Sequence, residues 1–351
     1  MKKRIASILL ASALCLGLAA CGGGNSGSSS SSAASTGSSA STSTQQSSDS
    51  SSSAASTGSW KPASTVSIIV PAGAGGDTDL TARVFAEYAK KLTGCDFIVV
   101  NAGGASGSIA ANQVLAAEPD GCTFLYGHSL VNMAYISGIT DYNYTAFVLG
   151  PNFAKNPAQQ FYVNPQKYAS LDAFLEAAKA NPGKLKACTE VGAYTYYELL
   201  DFEKKAGIDL DLVDVGSNSE KVAAMLSGEI DLMPGAWLSC KGYVEAGQFL
   251  CLGLPAAERS PLIPDVPTFD EQGVKGFVYP DCDYSFYFPA GTSAEVVTWY
   301  EDLVQQIMAD PDAQKAIEDI TVIPYYMSAA DCAKNEAAMM ETLNEIVATL
   351  N

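Results

Sequence analysis

Val66-Ser67-Ile68-Ile69-Val70-Pro71-Ala72-Gly73-Ala74-Gly75-Gly76-Asp77-Thr78-Asp79 passes from a β-branched run through a glycine-rich turn into the opening of a helix. Val66–Val70 reads as a short buried strand and Asp77–Leu92 as a helix, with Leu80, Val84, Tyr88 and Leu92 on one stripe. The same phrase follows at once. Phe97–Val100 reads as a strand, Asn101–Gly107 as a second glycine-rich turn, and Ser108–Ala117 as a helix that stops before Pro119-Asp120-Gly121. Thr123–Tyr126 is a third strand. Strand–helix–strand–helix–strand requires a parallel sheet with right-handed crossovers.

A second series lies further along. Phe161–Val163, Lys184–Cys188, Asp211–Val215 and Ile230–Leu232 read as strands. Helices at Ser170–Ala180, Tyr194–Lys205 and Glu220–Leu226, with another after Pro234, are interleaved with them. Tyr284–Phe288 reads as a strand returning to the first series. Thr292-Ser293-Ala294-Glu295 and Ser328-Ala329-Ala330-Asp331 are capping boxes that open two closing helices. The expected fold class is α/β with two domains, each a mostly parallel sheet flanked by helices. Residues 60–160 with 284–351 form the first domain and 161–283 the second, with two connections and a ligand cleft between them.

The two turns carry the informative chemistry. Each follows a strand and opens a helix, where free backbone N–H groups and the helix dipole favour an anion. Neither contains Lys or Arg. An anion held there rests on backbone amides and on the hydroxyls of Thr78, Ser106 and Ser108. A P-loop is excluded because no lysine occupies the required place. A dinucleotide fingerprint fits Gly73 and Gly75 but has Thr78 at its third position. A serine-hydrolase reading rests on adjacent His128 and Ser129, but Gly104-Ala105-Ser106-Gly107-Ser108 misses the G-x-S-x-G elbow. His128 falls at the same sheet edge as both turns, as a ligand contact or as a strand-end hydrogen-bonding residue. Two tight βα turns that bind nothing remain the bland alternative.

Upstream, Lys2, Lys3 and Arg4 precede the apolar run Ile5–Leu18, so residues 1–20 read as a secretory signal rather than a membrane span. Leu18-Ala19-Ala20-Cys21 resembles the lipobox of bacterial lipoproteins, which implies cleavage before Cys21 and its lipidation, palmitate-type chains included. A plain signal peptide with a cysteine at that place is the alternative. Residues 21–59 follow as a tether of almost nothing but Ser, Gly, Ala and Thr, too polar to build a core. The expected location is the outer face of the bacterial cytoplasmic membrane, lipid-anchored, periplasmic or extracellular.

Of the 351 residues, 48% are hydrophobic, enough for a sizeable core. Without residues 1–20 the chain has 17 basic against 38 acidic residues, a net charge of −21, which excludes nucleic acid as a partner. His128 is the sole histidine, and no C-x-x-C pair occurs among Cys95, Cys122, Cys188, Cys240, Cys251, Cys282 and Cys332, so no metal or other cofactor is expected. Most of these seven cysteines read as buried free thiols.

The chain resembles the substrate-binding proteins of tripartite tricarboxylate transporters, the Bug family. Val70 to Arg83 follows that family's V-P-[FY]-x-x-G-G-x-x-D-x-x-A-R loop, and Asn101, Gly104, Ala105 and Gly107 match its N-x-x-G-A-x-G segment. Ala117–Leu125, Asn181–Leu185, Leu226–Asp231, Arg259-Ser260 with Pro264–Thr268, and Phe288–Thr292 fall in family order. Ala72 replaces the family's aromatic, and Ala110 its usual glycine. The resemblance implies a two-domain periplasmic-binding-protein (type II-like) architecture that closes on a small organic carboxylate or amino acid, without catalysis, for permease subunits in the membrane. A sensor or adaptor for a signalling partner is the second reading, and an exported hydrolase the third. The implied ligand set is Ala72, Gly73, Gly75, Gly76, Asp77, Thr78 and Asp79 of the first turn; Gly104, Ala105, Ser106, Gly107 and Ser108 of the second; and His128, Tyr194, Thr195 and Asp231. Arg83 is expected to be structural.

Overall fold

The computed structural model describes residues 60–157, 159–216 and 218–350. The signal, the lipidated cysteine and the Ser-rich tether lie outside the described residues. The first series runs β1 (Val66–Val70), α1 (Asp77–Thr93), β2 (Phe97–Asn101), α2 (Ser108–Leu115), β3 (Thr123–Gly127), α3 (Leu130–Ile136) and β4 (Val148–Asn156). The second runs β5 (Gln160–Val163), α4 (Leu171–Ala180), β6 (Lys186–Thr189), α5 (Tyr194–Ala206), β7 (Asp211–Asp214), α6 (Asn218–Ser227), β8 (Met233–Gly235), α7 (Trp237–Glu245) and β9 (Leu250–Gly253). The chain then returns through β10 (Cys282–Phe288) to α8 (Ala294–Met308), α9 (Pro311–Asp319), β11 (Ile323–Met327) and α10 (Ala329–Leu350).

Six strands form one sheet in the order β11-β4-β10-β3-β1-β2. β1 pairs in parallel with β2 and β3, as expected from the repeated strand–turn–helix phrase. The other half is antiparallel: β10 opposes β3 and β4, and β11 opposes β4. The sheet is therefore mixed rather than mostly parallel. The cause is topological. β4 carries the chain out past the edge where β1–β3 end, and β10 must enter from that edge, so it runs the other way. Cys282 pairs with Asn156, and Lys155 meets Asp281 at 3.5 Å, so the outgoing and returning connections lie side by side. The second series divides into the parallel pair β6-β7 and the antiparallel sheet β8-β5-β9.

The larger sheet packs on an aromatic core. Phe85, Phe124, Phe153, Phe286, Phe288 and Tyr300 are each fully buried, with the Phe124 and Phe286 rings stacked at 4.7 Å. Burial of each such ring stabilises by roughly 1.5–3 kcal/mol, with a further ~0.5–1.5 kcal/mol per well-placed aromatic pair. Ala82, Phe85, Ala86 and Ala89 of α1 are buried in this core together with Tyr88 of the expected stripe, Val84 packs against it, and Leu92 of that stripe is exposed. Small residues let the helix approach the sheet closely. Phe161, Phe202, Phe269 and Phe277 form the corresponding core of the second series.

β4 escapes a reading by pattern because Gly150 and Pro151 interrupt it. A Cβ on Gly150 would sit 2.6 Å from the Phe288 ring, and the β4–β10 register slips between Leu149 and Asn152, which makes room for Pro151. The expected strand Ile230–Leu232 is replaced by β8, three residues on, with Leu232 bridging only to Ala187. The second capping box forms its cap, with Asp331 N–H donating to Ser328 Oγ; the first is displaced by one residue, because the cap is Ser293, which accepts from Val296 N–H, while Thr292 Oγ1 donates to the Pro289 carbonyl and Glu295 accepts from Trp60 N–H. The seven cysteines from Cys95 onward are free thiols. Among the described residues no helix is long and apolar enough to cross a membrane, and no His, Cys, Asp and Glu cluster could hold a metal ion.

Candidate functional site

β1, β3, β6 and β7 all end at one cavity of about 600 Å³. In α/β folds that edge gathers the βα turns and the N-termini of the helices they open. The first turn ends at Gly76, an extended N-cap without a side-chain bond, and α1 begins at Asp77. Asp79 is buried beneath the turn and ties it together, accepting from Gly75 N–H at 2.9 Å, Arg83 Nε at 3.0 Å and Asn101 Nδ2 at 2.9 Å. Burial pushes the Asp79 carboxyl up, but hydrogen bonds from Arg83, Gly75 and Asn101 outweigh it and hold the group below its ordinary range. Arg83 is thus structural, as expected. Asp77 faces the cavity. It accepts from Thr78 N–H at 2.9 Å, Asn156 Nδ2 at 2.8 Å and Gln159 Nε2 at 3.4 Å.

The second turn is built differently. Gly104, Ala105, Ser106 and Gly107 all have positive φ, at 108°, 49°, 52° and 82°. For Ala105 and Ser106 this is a strained backbone, held only because the surroundings impose it. Gly107 has no alternative: a Cβ there would lie 3.2 Å from Pro71 Cβ and 3.3 Å from Leu130 Cβ. The run aims Ser106 N–H at Glu190 Oε1, 3.0 Å away in the loop after β6. Ser106 Oγ reaches Val191 O at 3.4 Å, and Ser137 Oγ reaches Gly192 O at 2.7 Å. The two series of elements therefore touch across the cavity.

His128, after β3, completes this side. Its ring packs edge-on against Tyr194 at 5.3 Å and Tyr284 at 6.0 Å, and its Nδ1 is buried without a hydrogen-bond partner among the described residues. Burial pushes its pKa down to about 4 against the pull of Asp77, so the imidazole is neutral at pH 7. The opposite wall brings Glu190, Val191, Ala193, Tyr194 and Thr195 from the β6–α5 loop, Asp214 and Gly216 after β7, Asn218 and Lys221 at the start of α6, and Pro234 and Ala236 beside β8. The Tyr194 hydroxyl is committed to the Pro280 carbonyl, so this residue offers the cavity its ring. Lys221 makes no salt bridge among the described residues.

Of the residues expected from the sequence, Ala72, Gly73, Gly76, Asp77 and Thr78 line the cavity from the first turn, with Gly104 and Ala105 from the second. His128, Tyr194 and Thr195 join them. Gly75, Asp79, Ser106, Gly107 and Ser108 stand behind these, shaping the turns rather than forming the wall. Asp231 is elsewhere: it accepts from Tyr168 Oη at 2.9 Å and Lys186 N–H at 3.0 Å, at the start of β6 and away from the cavity edge. The expectation failed because the strand after it is β8, so the cavity edge falls at Pro234–Ala236. Glu190, Asp214, Asn218 and Lys221 were not foreseen. The rule applied to the first turns, to look just past each parallel strand, finds Glu190 and Asp214 one residue beyond β6 and at the end of β7.

The model of the tripartite tricarboxylate transporter family receptor matches residues 81–351. A Cupriavidus necator protein encoded in the gbd 5' region is 29% identical over 299 residues, spanning 80% of this chain and 88% of that protein. BugT of Bordetella pertussis is 26% identical over 245 residues, spanning 67% and 74%. Among solved structures, a periplasmic transporter is 28% identical with a TM-score of 0.75, covering 83% of this chain and 98% of that one. An R. palustris protein solved with adipate (23% identical, TM-score 0.75, covering 82% and 98%) shares the fold. So does MatC of Rhodopseudomonas palustris with bound malate (23%, TM-score 0.74, 82% and 100%).

Proposed function

This chain belongs to the tripartite tricarboxylate transporter receptor family, and from that premise we propose that it captures one small organic acid outside the cytoplasm and delivers it to an integral membrane permease. The observation that carries this reading is the cavity of about 600 Å³ into which parallel strands of both series direct their turns. That volume is of the order of a small-molecule site. In this reading residues 60–160 with 284–351 and residues 161–283 are two domains. They close by bending at the paired connections beside Asn156 and Cys282. The ligand lies against Ala72–Thr78, Gly104–Ala105, His128 and Tyr194–Thr195, and it is bound and released unchanged. Cys21 is lipidated, and the Ser-rich segment to residue 59 tethers the folded part to the membrane. The adipate and malate found in proteins of the same fold support an organic acid as the ligand.

Thermal unfolding in the presence of mono-, di- and tricarboxylates and amino acids tests this. A ligand at a hundred times its Kd adds roughly 2.7 kcal/mol to the stability of the native state. Stabilisation by at least one organic acid, with the acid recovered intact, is the expected result. Response only to neutral sugars or metal ions would exclude the proposal. Labelling with a radioactive fatty acid, lost in Cys21→Ser, checks the anchor separately.

A further inference from the structure

Both connections between the two series are bonded to α5. Tyr194 and Glu198 stand one helical turn apart and so share a face of that helix. Glu198 Oε1 accepts from the N–H of Gln159, in the outgoing connection between β4 and β5, at 3.0 Å. The Tyr194 hydroxyl donates to the Pro280 carbonyl, and the Tyr279 hydroxyl donates to the Tyr194 carbonyl at 3.3 Å, so the same face also holds the returning connection ahead of β10. Gln159 lines the cavity and reaches Asp77 through Nε2. One residue of the outgoing connection therefore joins the helix of the first glycine-rich turn to a carboxyl group of the second series.

That carboxyl group is enclosed. Glu198 is 0% exposed, and its Oε2 has no hydrogen-bond partner among the described residues. A carboxylate buried with one oxygen unpaired is far less stable than a neutral carboxyl in the same place. Burial raises its pKa well above the ordinary carboxylate value, against the pull of the Gln159 N–H and of Lys221 in α6. The other groups facing it are the Tyr194 and Tyr279 hydroxyls and the Cys282 thiol, each kept neutral by its own burial. Asp201 of α5 acts on Tyr279, and Asp77 and Asp281 act on Cys282.

Resting on the receptor reading above, from which the bending of the two connections comes, we propose that Glu198 is a proton-linked positioning residue for cleft closure: neutral, it holds the outgoing connection on α5; ionised, it draws in water and releases that connection. The carboxyl is enclosed only while the connection is held, so the held form takes up a proton as it forms. Its advantage is complete below the ordinary value of 4.5 and declines as pH rises toward the raised value.

The test reads cleft opening in the unliganded protein, as the radius of gyration from small-angle scattering between about pH 5 and about pH 8.5. The expected result is a radius that grows with pH, the ratio of open to held forms rising by up to about tenfold per pH unit for one linked proton. Glu198→Gln keeps the shape and an acceptor for Gln159 but cannot ionise, and should stay compact throughout. Lys221→Met removes the cation that favours the ionised form and should move the rise to higher pH. Circular dichroism checks that each variant is folded, and Lys221→Met carries the test if Glu198→Gln does not fold. A wild-type radius that stays constant with pH would overturn the proposal. So would a rise that persists unaltered in Glu198→Gln, which would place the titration on another buried group such as Glu336. The receptor reading fails separately, by the absence of any organic acid that stabilises the protein, because no ligand enters the scattering experiment.

Discussion

The two glycine-rich turns have nearly the same composition and are held in opposite ways. The first is closed from within: Asp79 beneath it collects Gly75 N–H, Arg83 and Asn101, all from β1, α1 and β2. The second is held from outside. Its four positive-φ residues are pinned by Pro71 and Leu130 and by Glu190, 84 residues away in the other series. A turn stabilised by its own neighbourhood survives opening of the cleft, whereas a turn bonded across the cleft changes when the cleft opens. The difference leaves the first turn supported by its own neighbourhood and the second dependent on contact between the two walls.

The largest effect should come from the anchor of the first turn. Asp79→Ala removes three hydrogen bonds to a buried carboxylate and should cost about 3–4 kcal/mol in urea unfolding. A loss below about 1 kcal/mol would mean that the glycines hold the turn unaided.

Next in size is a pH effect at the helix that packs behind the second turn's side of the sheet. Glu336 is fully buried, accepting from Asn132 Nδ2 at 2.6 Å and Tyr287 Oη at 2.8 Å. Burial pushes its pKa up to about 7, against hydrogen bonds from Tyr287, Ser129 and Asn132. Asp283 is likewise raised by burial, to about 6. A carboxyl with a raised folded pKa favours its neutral form in the native state, so stability is full below the unfolded value and declines as pH rises. Between pH 4.5 and 7 the decline due to Glu336 should be about 2–3 kcal/mol, followed by thermal unfolding across that range. Glu336→Gln should flatten the profile. Asp79 has the opposite sign: its contribution is present above its ordinary pKa and is lost only as pH falls through the lowered folded value.

Gly107→Ala should cost about 1–2 kcal/mol, from left-handed backbone and contact with Pro71 and Leu130. The same change at Gly75, whose φ is also positive but where a Cβ meets nothing, separates strain from crowding. The smallest change in stability should follow Glu190→Ala, below about 1 kcal/mol, because the side chain is partly exposed and only the one hydrogen bond from Ser106 N–H is lost. Its effect should appear in cleft opening, read by small-angle scattering of the unliganded protein. An unchanged scattering profile would remove the second turn's role in coupling the walls.

Much of the site's first wall was legible because its signals are local. Val66–Val70 is β-branched, the glycines after it permit the turn, and Asp77 opens a helix, all within a few residues. The second wall was read less well. Tyr194 and Thr195 were found, but a three-residue displacement from Ile230–Leu232 to β8 carried Asp231 away from the cavity. One strand shifted along the chain changes which residues reach the edge, and periodicity is weak in strands of three or four residues.

By itself the sequence determined the repeated strand–turn–helix units, the capped closing helices, the thiols without C-x-x-C partners and the family, since each depends on residue type and short spacing. The tertiary structure alone decided the antiparallel half of the sheet, the stripe of α1 that faces the core, and the meeting of Asp77, Glu190, Asp214 and Lys221 around one cavity. These depend on which distant segments pack together. Glu190 and Ser106 have no relation along the chain that a local pattern could register, and only the closure of one wall on the other brings carboxylate to amide.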